Sequence, residues 1–160
     1  MEADEILEHL PQQSPFRFVD KIIELDEERI VGVYTFKQDE FFYAGHFPGH
    51  PVTPGVILTE AMAQVGVVAL GLHLLYLKEG EEALAKWTTF FTDCQMEFYK
   101  PVLPGQRVII KGEKKFFRRM KLQSNVKMYL DSDNENGETN NGELVAEGIV
   151  SGMGVLREQQ

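Results

Sequence analysis

Apolar and polar positions alternate in short runs near both ends of the chain and merge into one long apolar run in the middle. The central stretch, PGVILTEAMAQVGVVALGLHLLYL (54–77), places apolar residues on nearly every face of a helix. Such a helix has to be buried on most sides. Thr53 is placed to cap it, and Pro54 suits its first position, where a missing N–H costs nothing. Gly80 falls just past its end. Before it, FRFVDKIIEL (16–25) and RIVGVYTF (29–36) read as strands, with DEE between them as a hairpin turn. After it come four more strand candidates, at about 86–98, 106–117, 121–130 and 144–155. Alternation is cleanest in 121–130, where Leu122, Ser124, Val126, Met128 and Leu130 share one face. A short acidic helix over 2–9 opens the chain, and the polar stretch 131–143 reads as a long hairpin loop. The order predicts an α+β fold in which a curved antiparallel sheet wraps round one long central helix, as a single domain over 1–160.

Composition narrows the function classes. The net charge of −9 argues against non-specific nucleic-acid binding. The single Cys94 excludes an internal disulfide framework and reads as a small, buried, inert residue. No secretory pattern opens the chain, and a reducing cytoplasm fits both points. The central run is long enough to cross a bilayer, but Glu60, Gln64 and His73 lie within it and the strands on either side point to a buried core helix instead.

The candidate chemistry gathers in GHFPGHPVTPGVILTEAMAQ (45–64). Glu60 falls on the second turn of the apolar helix, where burial would raise its pKa and make it a general acid. The plainer alternative is a solvent-facing or ion-paired glutamate. His46 and His50 sit in a loop stiffened by Pro48, Pro51 and Pro54, and either could move a proton near neutral pH. His9 and His73 are weaker candidates, His73 reading as a satisfied structural residue. The Gly55 and Val56 N–H groups are unpaired donors at the positive end of the helix, suited to polarise an acyl carbonyl. Base, acid and carbonyl donor together suit proton abstraction next to a carbonyl with loss of a β-hydroxyl. Two histidines and a glutamate could also ligate zinc, but HFPGH lacks the helical spacing such sites use, and no metal is expected.

Taken in order, LPQQSPFRFVDKI, GHFPGHPVTPGVILTEAMAQ, PVLPG and GELVAEG resemble the (3R)-hydroxyacyl-acyl-carrier-protein dehydratases of type II fatty-acid synthesis. The resemblance covers roughly residues 7–155 and is most specific in the central twenty. It implies a hotdog fold and dehydration of a (3R)-3-hydroxyacyl thioester to a trans-2-enoyl thioester. His46 would remove the α-proton, Glu60 would protonate the departing hydroxyl, Gly55 would bind the thioester carbonyl, and Gln64 would orient Glu60. A glutamate at 60 resembles the dehydratase-only branch, since the dehydratase/isomerase branch carries aspartate. The resemblance implies no cofactor beyond the phosphopantetheine arriving with the substrate. The partners it implies are an acyl carrier protein and a second copy of the chain, in a dimer or a trimer of dimers, with His46 and Glu60 coming from opposite protomers.

The chain departs from the family pattern in places. Gln12, Gln13 and Ser14 replace the first polar residues of the usual LPHRYPF. The family often has a gating tyrosine about a dozen residues before the PV.PG proline; here that place reads Thr89, Phe90 and Phe91, the candidate gate residues, so the gate is a phenylalanine or is absent. The usual basic DKARFRRPV is DCQMEFYKPV (93–102), diluted by Gln95, Glu97 and Tyr99. Residues 111–127 hold seven of the sixteen basic residues and one acid. They read either as a solvated hairpin or as a carrier-docking surface to which Arg118 and Arg119 contribute. Two alternatives stand beside the dehydratase: an enoyl hydratase/isomerase on carrier or CoA thioesters, and a non-catalytic hotdog subunit that shapes a partner's acyl tunnel.

Overall fold

The structure is a computed structural model and describes residues 1–132 and 138–158. In chain order its elements are α1 (Ala3–His9), β1 (Lys21–Leu25), β2 (Arg29–Thr35), α2 (Gly55–Ala63), a π-helical segment (Gln64–Ala69), α3 (Leu70–Glu79), α4 (Glu81–Leu84), β3 (Trp87–Phe98), β4 (Arg107–Arg118), β5 (Lys121–Asp131) and β6 (Asn141–Leu156). Among the described residues the strands form one antiparallel sheet in the order β1-β2-β4-β5-β6-β3. The sheet curls round the continuous helical rod Gly55–Glu79, which is the expected hotdog arrangement. The rod is apolar enough to cross a membrane, yet 72% of its most apolar window is buried inside the fold. Burial against the sheet, not lipid, satisfies its apolar faces.

The rod approaches the sheet most closely through glycines. A Cβ on Gly112 of β4 would lie 2.8 Å from the Gly66 Cα, and one on Gly66 would lie 2.6 Å from a Val126 methyl. A side chain at Gly112 would run into the rod backbone and one at Gly66 into the packed Val126, an overpacking that typically costs about 1–3 kcal/mol. Here the rod widens into its π-helical turn, and the buried Ser124 hydroxyl donates to the Gly66 carbonyl at 2.7 Å. Ser124 shares the inward face of β5 with Leu122, Val126 and Met128, as the alternation predicts.

Several expected details are corrected. The first strand begins at Lys21, not Phe16, because the backbone of Phe16 and Phe18 is hydrogen-bonded to the Gln64 side chain instead of to a neighbouring strand. Thr53 is not the helix cap. Pro54 takes that place with extended backbone, and the Thr53 hydroxyl pairs with the buried Tyr43 hydroxyl at 2.7 Å. The helix is not uniformly α, runs to Glu79, and is followed by the short α4. The expected 131–143 loop is shortened, since β5 runs to Asp131 and β6 starts at Asn141. Residues 133–137 of that loop lie outside the described residues. Cys94 is exposed on β3, which lies at the sheet edge. His73 is buried, but its Nδ1 has no hydrogen-bond partner among the described residues, so it is not a satisfied core histidine.

Candidate active site

The loop before the rod folds back on itself and aims one histidine. The Val52 N–H donates to the His46 carbonyl at 3.0 Å, and His46 Nδ1 lies 2.8 Å from the Val52 carbonyl. A carbonyl only accepts, so Nδ1 carries the proton and neutral His46 presents an unprotonated Nε2. The ring stacks on Phe47 at a centroid distance of 4.1 Å. Between them the chain reverses through Phe47–His50, which exchange two backbone hydrogen bonds across Gly49 at φ 75°, a left-handed conformation open to glycine. His50 is exposed at this tip with no side-chain hydrogen bond among the described residues. The geometry therefore separates the two histidines: His46 has a fixed tautomer and a free nitrogen, and His50 has neither.

The start of the rod supplies the donors. The Pro54 carbonyl accepts from Ile57 and Leu58 N–H, while the Gly55 and Val56 N–H groups have no acceptor among the described residues. Gly55 faces the Phe98 ring, which would lie 3.5 Å from any added Cβ. An open cleft of about 310 Å³ runs past Gly55 and Leu58, bordered by Phe98, Tyr99 and Lys100. The Val56 side chain points outward and is 77% exposed. These donors sit at the positive end of a helix and face a solvent-open cleft, the arrangement an oxyanion site needs.

Glu60 is half-buried one turn further on. Burial pushes its carboxyl above the ordinary value of 4.5, and a hydrogen bond from Gln64 pulls partly back. Gln64 is fully buried and uses every part of its amide. Its Oε1 accepts from the Phe18 N–H at 2.8 Å, and its Nε2 donates to the Phe16 carbonyl at 2.8 Å and to Glu60 Oε1 at 2.9 Å. The acid is thus held in one orientation by a residue that cannot itself move without breaking the entry segment.

Within one chain the catalytic candidates are not assembled together. Among the described residues no hydrogen bond links His46 to Glu60, and the Gly55 cleft is lined by neither. The expected gate residues also separate. Thr89 lines a small internal cavity at the far end of the rod, whereas Phe90 (60%) and Phe91 (45%) are exposed on β3 and line none. Arg118 and Arg119 lie at the β4–β5 hairpin tip, with the Arg118 guanidinium 4.9 Å over the Phe116 ring. Lys114, Lys121 and Lys127 are neutralised by Glu28, Asp93 and Glu147, while Arg118 and Arg119 join no ion pair among the described residues. Sequence reasoning did not find the Val52 carbonyl that sets the His46 tautomer, because any residue supplies a carbonyl. Nor did it find Phe98, Tyr99 and Lys100 beside Gly55, which only the return of β3 brings there.

Comparison with known proteins places these features in a family. The FabA-like domain model matches residues 10–134. The 3-hydroxyacyl-(acyl-carrier-protein) dehydratase FabZ of Geotalea uraniireducens is 42% identical over 121 residues, covering 74% of this chain and 79% of that protein. The same-named protein of Thermus thermophilus is 40% identical over 119 residues, covering 74% and 80%. Among solved structures, the dehydratase heterocomplex ApeI:P of Xenorhabdus doucetiae superposes with a TM-score of 0.68 at 15% identity, covering 92% of this chain and 89% of that one.

The charge state of Glu60 yields a stability prediction. Its folded-state pKa lies above its unfolded value, so the fold binds the proton more tightly than the unfolded chain does. Stability is therefore unpenalised below about 4.5 and falls as pH rises through the folded pKa. Glu60→Gln removes that penalty. Thermal melts across pH should show the variant more stable than wild type at neutral pH, with the gap closing below the unfolded value.

Proposed function

The chain belongs to the FabA-like domain family, and from that premise we propose that it dehydrates (3R)-3-hydroxyacyl thioesters on an acyl carrier protein to trans-2-enoyl thioesters. The observation that supports this reading best is the half-buried Glu60, raised in pKa and fixed by Gln64, one turn after two unpaired backbone donors.

The reaction follows from these groups. The thioester carbonyl sits at the Gly55 N–H, with the Val56 N–H beside it. His46 Nε2 takes a proton from C2, and the electron pair moves toward the carbonyl oxygen, where the N–H donor and helix dipole stabilise the developing charge. The pair then forms the C2–C3 double bond as the C3–OH bond breaks. Protonated Glu60 gives its proton to the leaving hydroxyl, which departs as water. His46 ends protonated and Glu60 ionised, and proton return from one to the other through solvent resets the pair. No cofactor enters these steps, and the phosphopantetheine comes with the substrate. A reaction on a diffusible carrier fits the cytoplasm.

The unit that performs this is a dimer joined through β3. This strand ends the sheet and carries the exposed Phe90, Phe91 and Phe98, with Met153 and Leu156 exposed on the adjoining β6. A long apolar edge of this kind is an association surface. Pairing two copies of β3 about a two-fold axis buries it and lets each site take His46 from one chain and Glu60 from the other. Three such dimers would form the trimer of dimers.

The same symmetry bears on carrier docking. Within one chain Arg118 lies in register with Phe90 of β3, through Lys121 and Met153, about 26 Å by strand rise from Phe98, which faces Gly55 at the other end. Antiparallel pairing across the two-fold sets one protomer's hairpin tip beside its partner's helix start. The two arginines therefore guide an acidic carrier to the opposite site, acting mainly on the on-rate.

Hydration of a trans-2-enoyl carrier thioester, the reverse reaction, tests the site. His46→Ala and Glu60→Gln should each lose roughly 10²–10⁴-fold, the scale of positioned acid–base catalysis. Co-refolding the two inactive variants should restore part of the activity. Near-wild-type turnover by either single variant would remove its assigned role. Charge reversal at Arg118 and Arg119 should raise KM for the carrier-linked substrate and spare a short pantetheine thioester, and equal loss on both would exclude docking.

A further inference from the structure

A small cavity of about 30 Å³ lies between the second half of the rod and the sheet. The rod contributes Val67, Gly71 and Leu75, spaced four residues apart and so on one face. The opposite wall is the start of β3 at Trp87–Thr89 and the end of β6 at Gly152 and Gly154, and Met120 closes the end. Glycines make the room. A Cβ on Gly152 would lie 2.6 Å from a Val67 methyl, and one on Gly154 would lie 2.9 Å from the Met120 Cε. A Cβ on Gly71 would meet only Leu122, at an ordinary 3.6 Å, so a side chain there begins without a clash.

Met120 is held there by backbone geometry. Arg118 and Lys121 are paired across the β4–β5 hairpin, and the two residues between them, Arg119 and Met120, both take positive φ, 50° and 62°. That is the two-residue turn that matches strand twist and usually recruits Asn-Gly. The Met120 carbonyl accepts the Gly154 N–H at 2.8 Å, which ties the turn to β6. A methionine in this unusual conformation, its thioether laid over a glycine, fills the end of the cavity with a flexible, apolar plug.

The cavity lies in line with the thioester site. β3 runs beside the rod from Phe98, which faces Gly55, back to Trp87–Thr89 at the cavity wall. Val67 is about 18 Å beyond Gly55 along the helix axis, the length of an extended acyl chain of roughly fourteen carbons. We infer that Met120 is a specificity-determining residue: lining the cavity that lies beyond the Gly55 cleft along rod and β3, it sets the longest acyl chain the enzyme accepts. This rests on the dehydratase reading above.

The test uses the full chain with trans-2-enoyl carrier thioesters of four, fourteen and eighteen carbons. Met120→Gly removes the plug and suits the left-handed backbone, and it should raise the ratio of eighteen- to four-carbon turnover by about 10-fold or more. Gly71→Leu improves helix propensity and adds bulk to the cavity wall, and it should lower the ratio of fourteen- to four-carbon turnover by roughly 10–200-fold, the usual reach of one or two methylenes in an apolar pocket. Affinities for saturated acyl-pantetheine thioesters of the same lengths are measured alongside. Length dependence unchanged in both variants, in turnover or in binding, overturns the inference. If the wild type turns over no chain length yet the binding profiles shift as described, the ruler stands and the dehydratase reading falls.

Discussion

The buried amide of Gln64 is the interaction on which the site depends. It satisfies one donor and two acceptors at once, joining the Phe16–Phe18 backbone, the rod and the Glu60 carboxylate. Removing it would leave the Phe18 N–H unpaired in the interior, a loss of about 1–3 kcal/mol. The entry segment gives up strand pairing to make these bonds, which is why β1 starts only at Lys21. The acid of a proton-transfer site needs a raised pKa and a fixed direction. Burial supplies the first, and this amide supplies the second while limiting how far the pKa climbs.

The rod can carry that acid because it lies unusually close to the sheet. Contact between Gly66 and Gly112 sets the approach, and Ser124 satisfies a rod carbonyl at the same point. One end of the rod then presents free N–H donors beside Phe98, and its other half encloses the cavity closed by Met120. β3 borders both ends, and it is also the exposed apolar edge. One strand thus flanks the Gly55 cleft and the cavity lined by Met120 and carries the exposed apolar edge, so the proposed site, ruler and dimer surface all lie along the same element.

Much of this was legible in the chain. β-branched and aromatic runs bounded by turn residues located the strands, and period-two alternation marked β5, whose alternate burial leaves its trace residue by residue. The unbroken apolar run located the rod for the same reason. Glu60 and Gln64 stood out as polar residues one helical turn apart in an apolar segment. What stayed hidden depends on partners distant in sequence. Thr53 looks like a cap, but Tyr43 claims its hydroxyl. Phe16 and Phe18 look like strand residues, but a side chain 46 positions from Phe18 takes its backbone N–H. Phe90 and Phe91 sit where a gate is expected, yet the strand turns them outward and leaves Thr89 facing the cavity. Met120 carries no signal of a left-handed turn, since that conformation is usually marked by Asn or Gly.

The central claim is that Gln64 holds Glu60 as the proton donor while restraining its pKa, and the pH dependence of dehydration of a (3R)-3-hydroxyacyl carrier thioester by Gln64→Met tests it most directly. Losing the Nε2 donor removes the one contribution that lowers the Glu60 pKa, so the carboxyl stays protonated to higher pH. The basic limb of kcat/KM, which reports loss of the acid in the free enzyme, should therefore move upward from wild type, with reduced activity at the optimum. A basic limb that stays in place or moves downward would contradict the account.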